Sequence, residues 1–468
     1  MQHRAMGKNS FWLVAVLLVA GLPGLPVVQG ADRSPNVIVI FCDDLGYGDL
    51  GCYGHPTIRT PNLDRMAREG QKWTNFYAAA SVCTPSRAGL LTGRLPVRSG
   101  MCSDKRRVLF PDSKGGLPEN ERTIAELLKG QGYATACVGK WHLGHLPKYL
   151  PTNHGFDSYF GIPYSNDMDR LKSAPPYREA NFKPEIAYFN VPLLEDDKVL
   201  ERPADQTTIT RRYTERSLEF IKANSNKPFF LYLAHSMPHV PLFRSKSFVG
   251  RSLRGRYGDV IEEIDWSVGQ ILDTLVQERL AEHTLVVFTS DNGPWLIFDH
   301  HGGSAGLLRD GKGSTWEGGM REPALFWWPG RIKAGETVAD IGSTLDLLPT
   351  IGRLSGAAIP PDLVLDGYDL GPRLLGKGPG GRDRMFYYRG TKLFAVRKGP
   401  YKAHFITKPA YGRGQATTHD PPTLYHLGHD PSERFDMSES HPRVAEELKR
   451  LANEHRAAVS RGIDQLAR

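Results

Sequence analysis

Four runs of consecutive apolar residues stand out along the chain, and each is cut off by a polar cluster. Asn36–Cys42 stops at Asp43-Asp44, and Tyr133–Val138 stops at Gly139-Lys140-Trp141-His142. Pro228–Ala234 stops at His235, and Thr284–Thr289 stops at Ser290-Asp291-Asn292-Gly293. Apolar runs without alternation predict strands buried on both faces, as in a parallel sheet covered by helices. Helical patterns fill the intervals. Pro61–Glu69 is predicted as a helix with Thr60 at its cap, Pro61 at its first position and Gly70 beyond its end. Thr123 and Glu126 form a capping box that opens a helix running to Lys129. Two longer helices follow, from about Thr207 to Ala223 and from about Tyr257 to Leu280. The second carries Val260, Ile261, Ile264, Val268, Ile271, Leu272 and Leu275 on one stripe. Residues 146–205 show no strong period and are punctuated by proline, which suits a loop-rich excursion over the sheet.

The texture changes near Leu370. A Gly/Pro-rich stretch, Gly371–Gly381, reads as a linker. Short strands follow at Arg384–Tyr388, Leu393–Arg397, Tyr401–Ile406 and Thr423–Leu427, then a polar helix at Pro442–Ala458. The fold class expected is α/β: a large, mostly parallel sheet flanked by helices, plus a small antiparallel sheet with a helix on it. The division expected is 1–30, 31–370 and 371–468. Ligands of open α/β sheets bind where the strand ends and their loops converge. Four strand ends bearing Asp, Lys, His and Asn therefore predict one site.

Composition narrows the setting. Residues 1–30 look like a secretory signal, with basic His3, Arg4 and Lys8, the apolar stretch Phe11–Leu22 and a small-residue end at Val28-Gln29-Gly30. No later segment reads as membrane-spanning. The formal charge of +8 falls to +6 without Arg4 and Lys8, and no Lys/Arg run accompanies it, which argues against a nucleic-acid partner. Five cysteines are too few for a disulfide scaffold, and their pairing is not legible. The chain has no Asn-x-Ser/Thr sequon. An exported periplasmic or extracellular protein is expected, rather than a lysosomal one.

The chemistry concentrates around Ser81–Arg94. Pro85 ends an extended segment and Ser86–Leu91 reads as a short helix, so Cys83 faces the helix N-terminus, with its unpaired N–H groups. Asp43, Asp44, Asp291 and Asn292 are hard oxygen donors at two strand ends, and such a set suits Ca²⁺ or Mg²⁺ rather than zinc. Lys140 and His142 share a loop and should point to one side. His235 and His239 are spaced as a zinc pair would be on a helix, but Pro238 and Pro241 argue against a helix there. Gly311–Gly319 is a Gly-rich loop without Walker spacing, so no ATPase is implied.

The string Cys83-Thr84-Pro85-Ser86-Arg87, continued by Leu90-Leu91-Thr92-Gly93-Arg94, resembles the signature of the sulfatase family at every fixed position. The resemblance extends from Pro35 to about Met437, towards the arylsulfatase A and N-acetylgalactosamine-6-sulfatase branch. It implies an alkaline-phosphatase-like α/β sandwich and hydrolysis of an O-sulfate ester of an aryl or carbohydrate alcohol. Cys83 would be oxidised to formylglycine by a formylglycine-generating enzyme, its hydrate being the nucleophile. Asp43, Asp44, Cys83, Asp291 and Asn292 would hold calcium. Arg87, Lys140, His142, His239 and Lys312 would join Cys83 in catalysis: Lys140 and Lys312 on sulfate oxygens, His142 on the diol, His239 on the leaving alcohol. Ser165 would join Lys140, His239 and Lys312 in binding substrate, with His300, His301 and Arg309 lining the pocket. Asp310 replaces a cysteine of arylsulfatase A, so the disulfide made there is not expected. A thiol would serve poorly in this role, because its S-sulfo adduct has no easy exit, whereas a diol can expel sulfate with its second hydroxyl. Two other readings stay open: a phosphomonoesterase or phosphodiesterase on the same scaffold, and a catalytically silent glycan-binding protein.

Overall fold

The computed structural model describes residues 34–468 apart from Arg413, so the expected signal segment, 1–30, lies outside the described residues. Ten strands make one mixed sheet. In chain order they are β1 (Asn36–Cys42), β2 (Gln71–Tyr77), β3 (Ala134–Gly139), β4 (Ser158–Gly161), β5 (Leu193–Glu195), β6 (Lys198–Glu201), β7 (Phe229–Ala234), β8 (Thr284–Ser290), β9 (Arg321–Trp327) and β10 (Glu336–Ser343). Across the sheet the order is β10-β2-β9-β8-β1-β7-β3-β4-β5-β6. The four expected strands are the contiguous parallel centre, β8-β1-β7-β3.

Pleating sorts each central strand between two cores. Ile38, Ile40, Leu231, Leu233, Val286 and Phe288 face the helices Ile209–Ala223 and Gly255–Gln277. Val37, Val39, Phe41, Phe230, Tyr232 and Val287 face Cys83–Thr92, Ile124–Lys129 and Leu347–Ser355. Because the central strands run parallel, their carboxyl ends, and the polar clusters after them, open on one edge.

A second, four-stranded antiparallel sheet is built from β11 (Arg384–Arg389), β12 (Lys392–Lys398), β13 (Tyr401–Thr407) and β14 (Thr417–His426). The helix Pro442–Ala458 packs on it through Ala445, Leu448 and Ala452. The same cluster takes in Tyr77 and Met320, so the small sheet is sealed onto the ends of β2 and β9.

Besides the strands β2, β9 and β10, which the apolar runs do not mark, the structure departs from the expectations in three places. Residues 146–205 are more ordered than a loop excursion, since they supply β4, β5 and β6 at the sheet edge. The expected linker opens with the helical turn Gly371–Leu374, whose Leu374 is buried. The signature helix begins at Cys83 itself, not at Ser86. Pro85 is tolerated there because first-turn N–H groups have no intrahelical acceptor to lose.

Candidate active site

At the end of β1, Asp43 and Asp44 are fully enclosed, and Asp44 adopts the left-handed region (φ 65°) that an aspartate enters more readily than most residues. The end of β8 brings Asp291 and Asn292 against them. Asp291 Oδ1 accepts the Asp44 N–H at 3.2 Å, and Asn292 Nδ2 donates to Asp44 Oδ1 at 2.7 Å. Three cations converge on these carboxylates. Arg87 donates to Asp291 Oδ2 at 2.8 Å and to the Lys140 carbonyl at 3.1 Å. Lys140 Nζ reaches Asp43 Oδ2 at 2.5 Å and Ser165 Oγ at 3.2 Å. Lys312 Nζ bridges both oxygens of Asp44, at 2.5 and 2.8 Å, and lies 3.4 Å from Cys83 Sγ. Cys83 Sγ in turn lies 3.4 Å from Asp43 Oδ1.

The electrostatics of this cluster are unfinished. Burial raises Asp44 to about 7 and Asp291 to about 6, despite the lysine and arginine beside them. Asp43 goes the other way: Lys140, with Arg87 and Lys312 behind it, outweighs its burial and holds it well below the usual range. Asn292 Oδ1 is buried and has no hydrogen-bond partner among the described residues. A buried carbonyl oxygen left without a donor is costly unless something positive completes it. Ligand atoms of Asp43, Asp44, Cys83 and His239 lie within 4.8 Å of one another. Oxygen donors clustered around an orphaned amide oxygen fit a hard divalent cation. The position of His239 in this group was not foreseen from the sequence.

Both site histidines are neutral imidazoles, because burial, with Lys140 beside His142 and Lys312 beside His239, drives each well below its ordinary range. The His142 Nε2 sits 2.9 Å from the Leu109 carbonyl, which can only accept, so the proton is on Nε2. Its Nδ1 is buried without a partner among the described residues and carries the free lone pair. His239 Nδ1 donates to the Val240 carbonyl at 2.5 Å, and its Nε2 faces Ser165 Oγ at 3.4 Å and Asp44 Oδ2 at 3.6 Å. Asn166 fixes this turn by bonding the His239 and Pro241 carbonyls and the ring nitrogen. The Cys83 thiol is pushed up by burial and by Asp43, so thiolate is disfavoured.

A cavity of about 410 Å³ opens above this floor, lined by Cys83, His142, Ser165, His239 and Lys312. Its walls are Trp295, Tyr411, Tyr177, Phe110, Arg107 and Asp167. Trp295 and Tyr411 have ring centroids 5.1 Å apart, and Lys312 Nζ sits 4.5 Å over the Trp295 ring. The expected lining residues lie elsewhere: His301 stacks on Phe182 at 4.7 Å, His300 packs beside it, and Arg309 covers the Trp316 ring at 3.7 Å. His235 sits outside the donor group, against Ser267. Nothing local in the sequence marks Trp295, Tyr177 or Tyr411, which are single aromatics on aperiodic loops. All five cysteines are free, and Asp310 instead ties two loops by accepting the Ala410 N–H at 3.1 Å.

The loop that carries Lys312 is anchored from below. Glu317 accepts from Tyr77 at 2.6 Å and from Lys402 at 2.8 Å, while its own N–H donates to Glu433 at 2.7 Å. Glu433 also takes Lys402 at 3.1 Å and His404 at 2.7 Å.

With this geometry in view, the chain's kinship is decided by its match to known families. The sulfatase family model matches residues 35–357, and the model of the C-terminal region of aryl-sulfatase matches residues 380–468. The chain belongs to the sulfatase family. It is 44% identical to human (Homo sapiens) arylsulfatase A, across 97% of this chain and 93% of that protein. It is 42% identical to dog (Canis lupus familiaris) N-acetylgalactosamine-6-sulfatase, across 97% and 91%. The solved PsFucS1 sulfatase from Pseudoalteromonas sp. superposes with a TM-score of 0.80 at 30% identity, covering 92% of each chain. This sulfatase is a sulfate ester hydrolase of arylsulfatase type, and the donor group beside Cys83 is its metal site. Among the described residues, no helix is long and apolar enough to cross a membrane.

Proposed function

We propose that this sulfatase is an exported, calcium-dependent enzyme whose Cys83 is converted to formylglycine by a dedicated generating enzyme, and that it hydrolyses aryl or carbohydrate O-sulfates. The observation that carries the reading is the unpartnered Asn292 Oδ1 among Asp43, Asp44 and Asp291, immediately beneath Cys83. Asp43, Asp44, Asp291, Asn292 and the position-83 side chain would hold the ion, with the His239 nitrogen at the edge of the set. Bound calcium would supply positive charge against the sulfuryl oxygens, and the hydrated aldehyde a nucleophilic hydroxyl with a second hydroxyl for release.

The chain's own residues do the rest. His142 lines the cavity, and its Nδ1, which carries the free lone pair, would be the base for the position-83 hydroxyl. Lys312, on the cavity wall, donates to a sulfuryl oxygen. Arg87 and Lys140 are held behind the wall on Asp291 and Asp43, and stabilise developing negative charge from there. His239 Nε2 and Ser165 face the leaving oxygen. A bound sulfate ester raises the proton affinity of His239, so that Nε2 takes a proton from solvent and passes it to the departing alcohol oxygen. Residues 31–370 would form the catalytic body, and 371–468 a subdomain bracing the Lys312 loop.

Turnover of p-nitrophenyl sulfate and p-nitrophenyl phosphate by the purified chain tests this. Calcium-restored sulfate turnover at least 100-fold faster than phosphate turnover is expected. Phosphate turnover equal to or above sulfate would establish the esterase alternative. N-terminal sequencing of protein recovered from outside the cytoplasm should begin beyond residue 30, and an intact Met1 there would contradict export by a cleaved signal.

A further inference from the structure

On the other side of the Ser81–Pro85 turn lies a second cavity, of about 450 Å³, that the reaction does not use. Arg107 lines both cavities, and the consecutive residues Lys312 and Gly313 line one each. The two cavities therefore adjoin, on either side of the turn, with Arg107 in the wall of both. Its walls carry six cationic side chains, Lys105, Arg106, Arg107, Arg389, Lys392 and Lys408, against one carboxylate, Asp104.

Those cations are under-compensated. Among the described residues only Arg106 is ion-paired, with Asp112 at 2.6 Å. Asp104 is taken by the Thr391 N–H and hydroxyl, at 2.9 and 2.7 Å. Arg389 places one guanidinium nitrogen on the carbonyls of Lys408 and Pro409, and Arg107 stacks 4.3 Å over the Tyr411 ring. Both contacts hold a guanidinium in place without neutralising it. Burial and the nearby Arg107 together pull Arg389 below its usual range, the mark of a cation short of an anion. A row of like charges in a concave groove concentrates a polyanion far more than any single surface charge does.

We propose that this groove binds the remaining anionic sugars of a substrate whose reactive sulfated residue occupies the catalytic cavity, which makes the enzyme one for acidic oligosaccharides. The inference rests on the sulfatase reading and gives it a substrate class. A free monosulfate fills only the first cavity. A chain bearing sulfates or carboxylates on successive sugars fills both.

The test uses a fluorescently labelled heparin hexasaccharide and the full chain at low salt. Its binding is followed by anisotropy, alongside its inhibition of p-nitrophenyl sulfate hydrolysis. Replacing Lys392→Ala and Lys408→Ala together, or Lys392→Glu alone at an exposed position, should weaken hexasaccharide binding and inhibition about tenfold. KM for p-nitrophenyl sulfate and inhibition by inorganic sulfate should stay within about twofold. An oligothymidylate of equal charge should compete at least about tenfold less well. Unchanged hexasaccharide affinity in both variants, an equal loss for inorganic sulfate, or equal competition by the oligonucleotide would each overturn the proposal. Hexasaccharide binding that behaves as expected in a chain inert towards every sulfate ester would count against the catalytic reading instead.

Discussion

One loop, Gly311–Gly319, carries a member of two buried charge clusters, and the two are finished differently. Glu317 sits in a closed cluster. Tyr77, Tyr387, Lys402 and Arg321 all donate to its carboxylate, and the cations around it hold it down at about 2. Lys312, five residues earlier, sits in an open one. There Asp44 and Asp291 are raised to about 7 and 6, and Asn292 Oδ1 has no donor. Burial is nearly complete in both, so burial does not separate them. What differs is completion: a charge network that closes on itself serves the fold, and one left short of a cation beside a cavity serves chemistry.

The largest expected effect breaks the closed cluster. Lys402→Met leaves Glu317 and Glu433 buried without their shared cation, and should cost about 3–5 kcal/mol in chemical denaturation. A loss below about 1 kcal/mol would mean that the cluster is not closed as described. The open cluster should respond instead to calcium, which at about 100 times its Kd stabilises by about 2.7 kcal/mol. Asp44→Asn should abolish that gain. Equal calcium stabilisation of wild type and Asp44→Asn would place the ion elsewhere.

A smaller effect sharpens the contrast through pH. Glu317 is depressed from an unfolded value of about 4.3 to about 2, so its stabilisation is complete above the unfolded value. It should be lost as pH falls from about 4.3 towards about 2. His404 beside it is pushed below its ordinary range by burial, so it adds a separate slope: stability falls as pH drops through the unfolded imidazole value of about 6.5. Melting temperatures of wild type and Glu317→Gln between pH 2 and 8 should converge at the acid end. Parallel curves would show that the carboxylate is not ionised in the fold.

The sequence was most legible where one feature decides one element. Continuous apolar runs marked β1, β7 and β8 because strands buried on both faces leave no room for polar alternation. Gln71–Tyr77 and Arg321–Trp327 escaped notice for a reason visible in their pairing. Pro323 interrupts β9, and β2 is bulged opposite it, between Trp73 and Phe76, so neither segment keeps an unbroken strand signature. In the site, Asp43, Asp44, Asp291, Lys140 and Lys312 announce themselves as polar stops after strands or inside a recognisable motif. The placement of His239 among the ligand atoms depends on a loop fold held by Asn166, which no spacing encodes. Likewise Lys402, His404 and Glu433 read as ordinary polar positions until the small sheet docks them beneath Glu317.

The account turns on the side chain at position 83, and peptide mass spectrometry of the active protein tests it most directly. The fragment containing Cys83 should have lost its sulfur, with oxygen in its place and two hydrogens fewer. An intact thiol in protein that turns over sulfate esters at full rate would contradict the account.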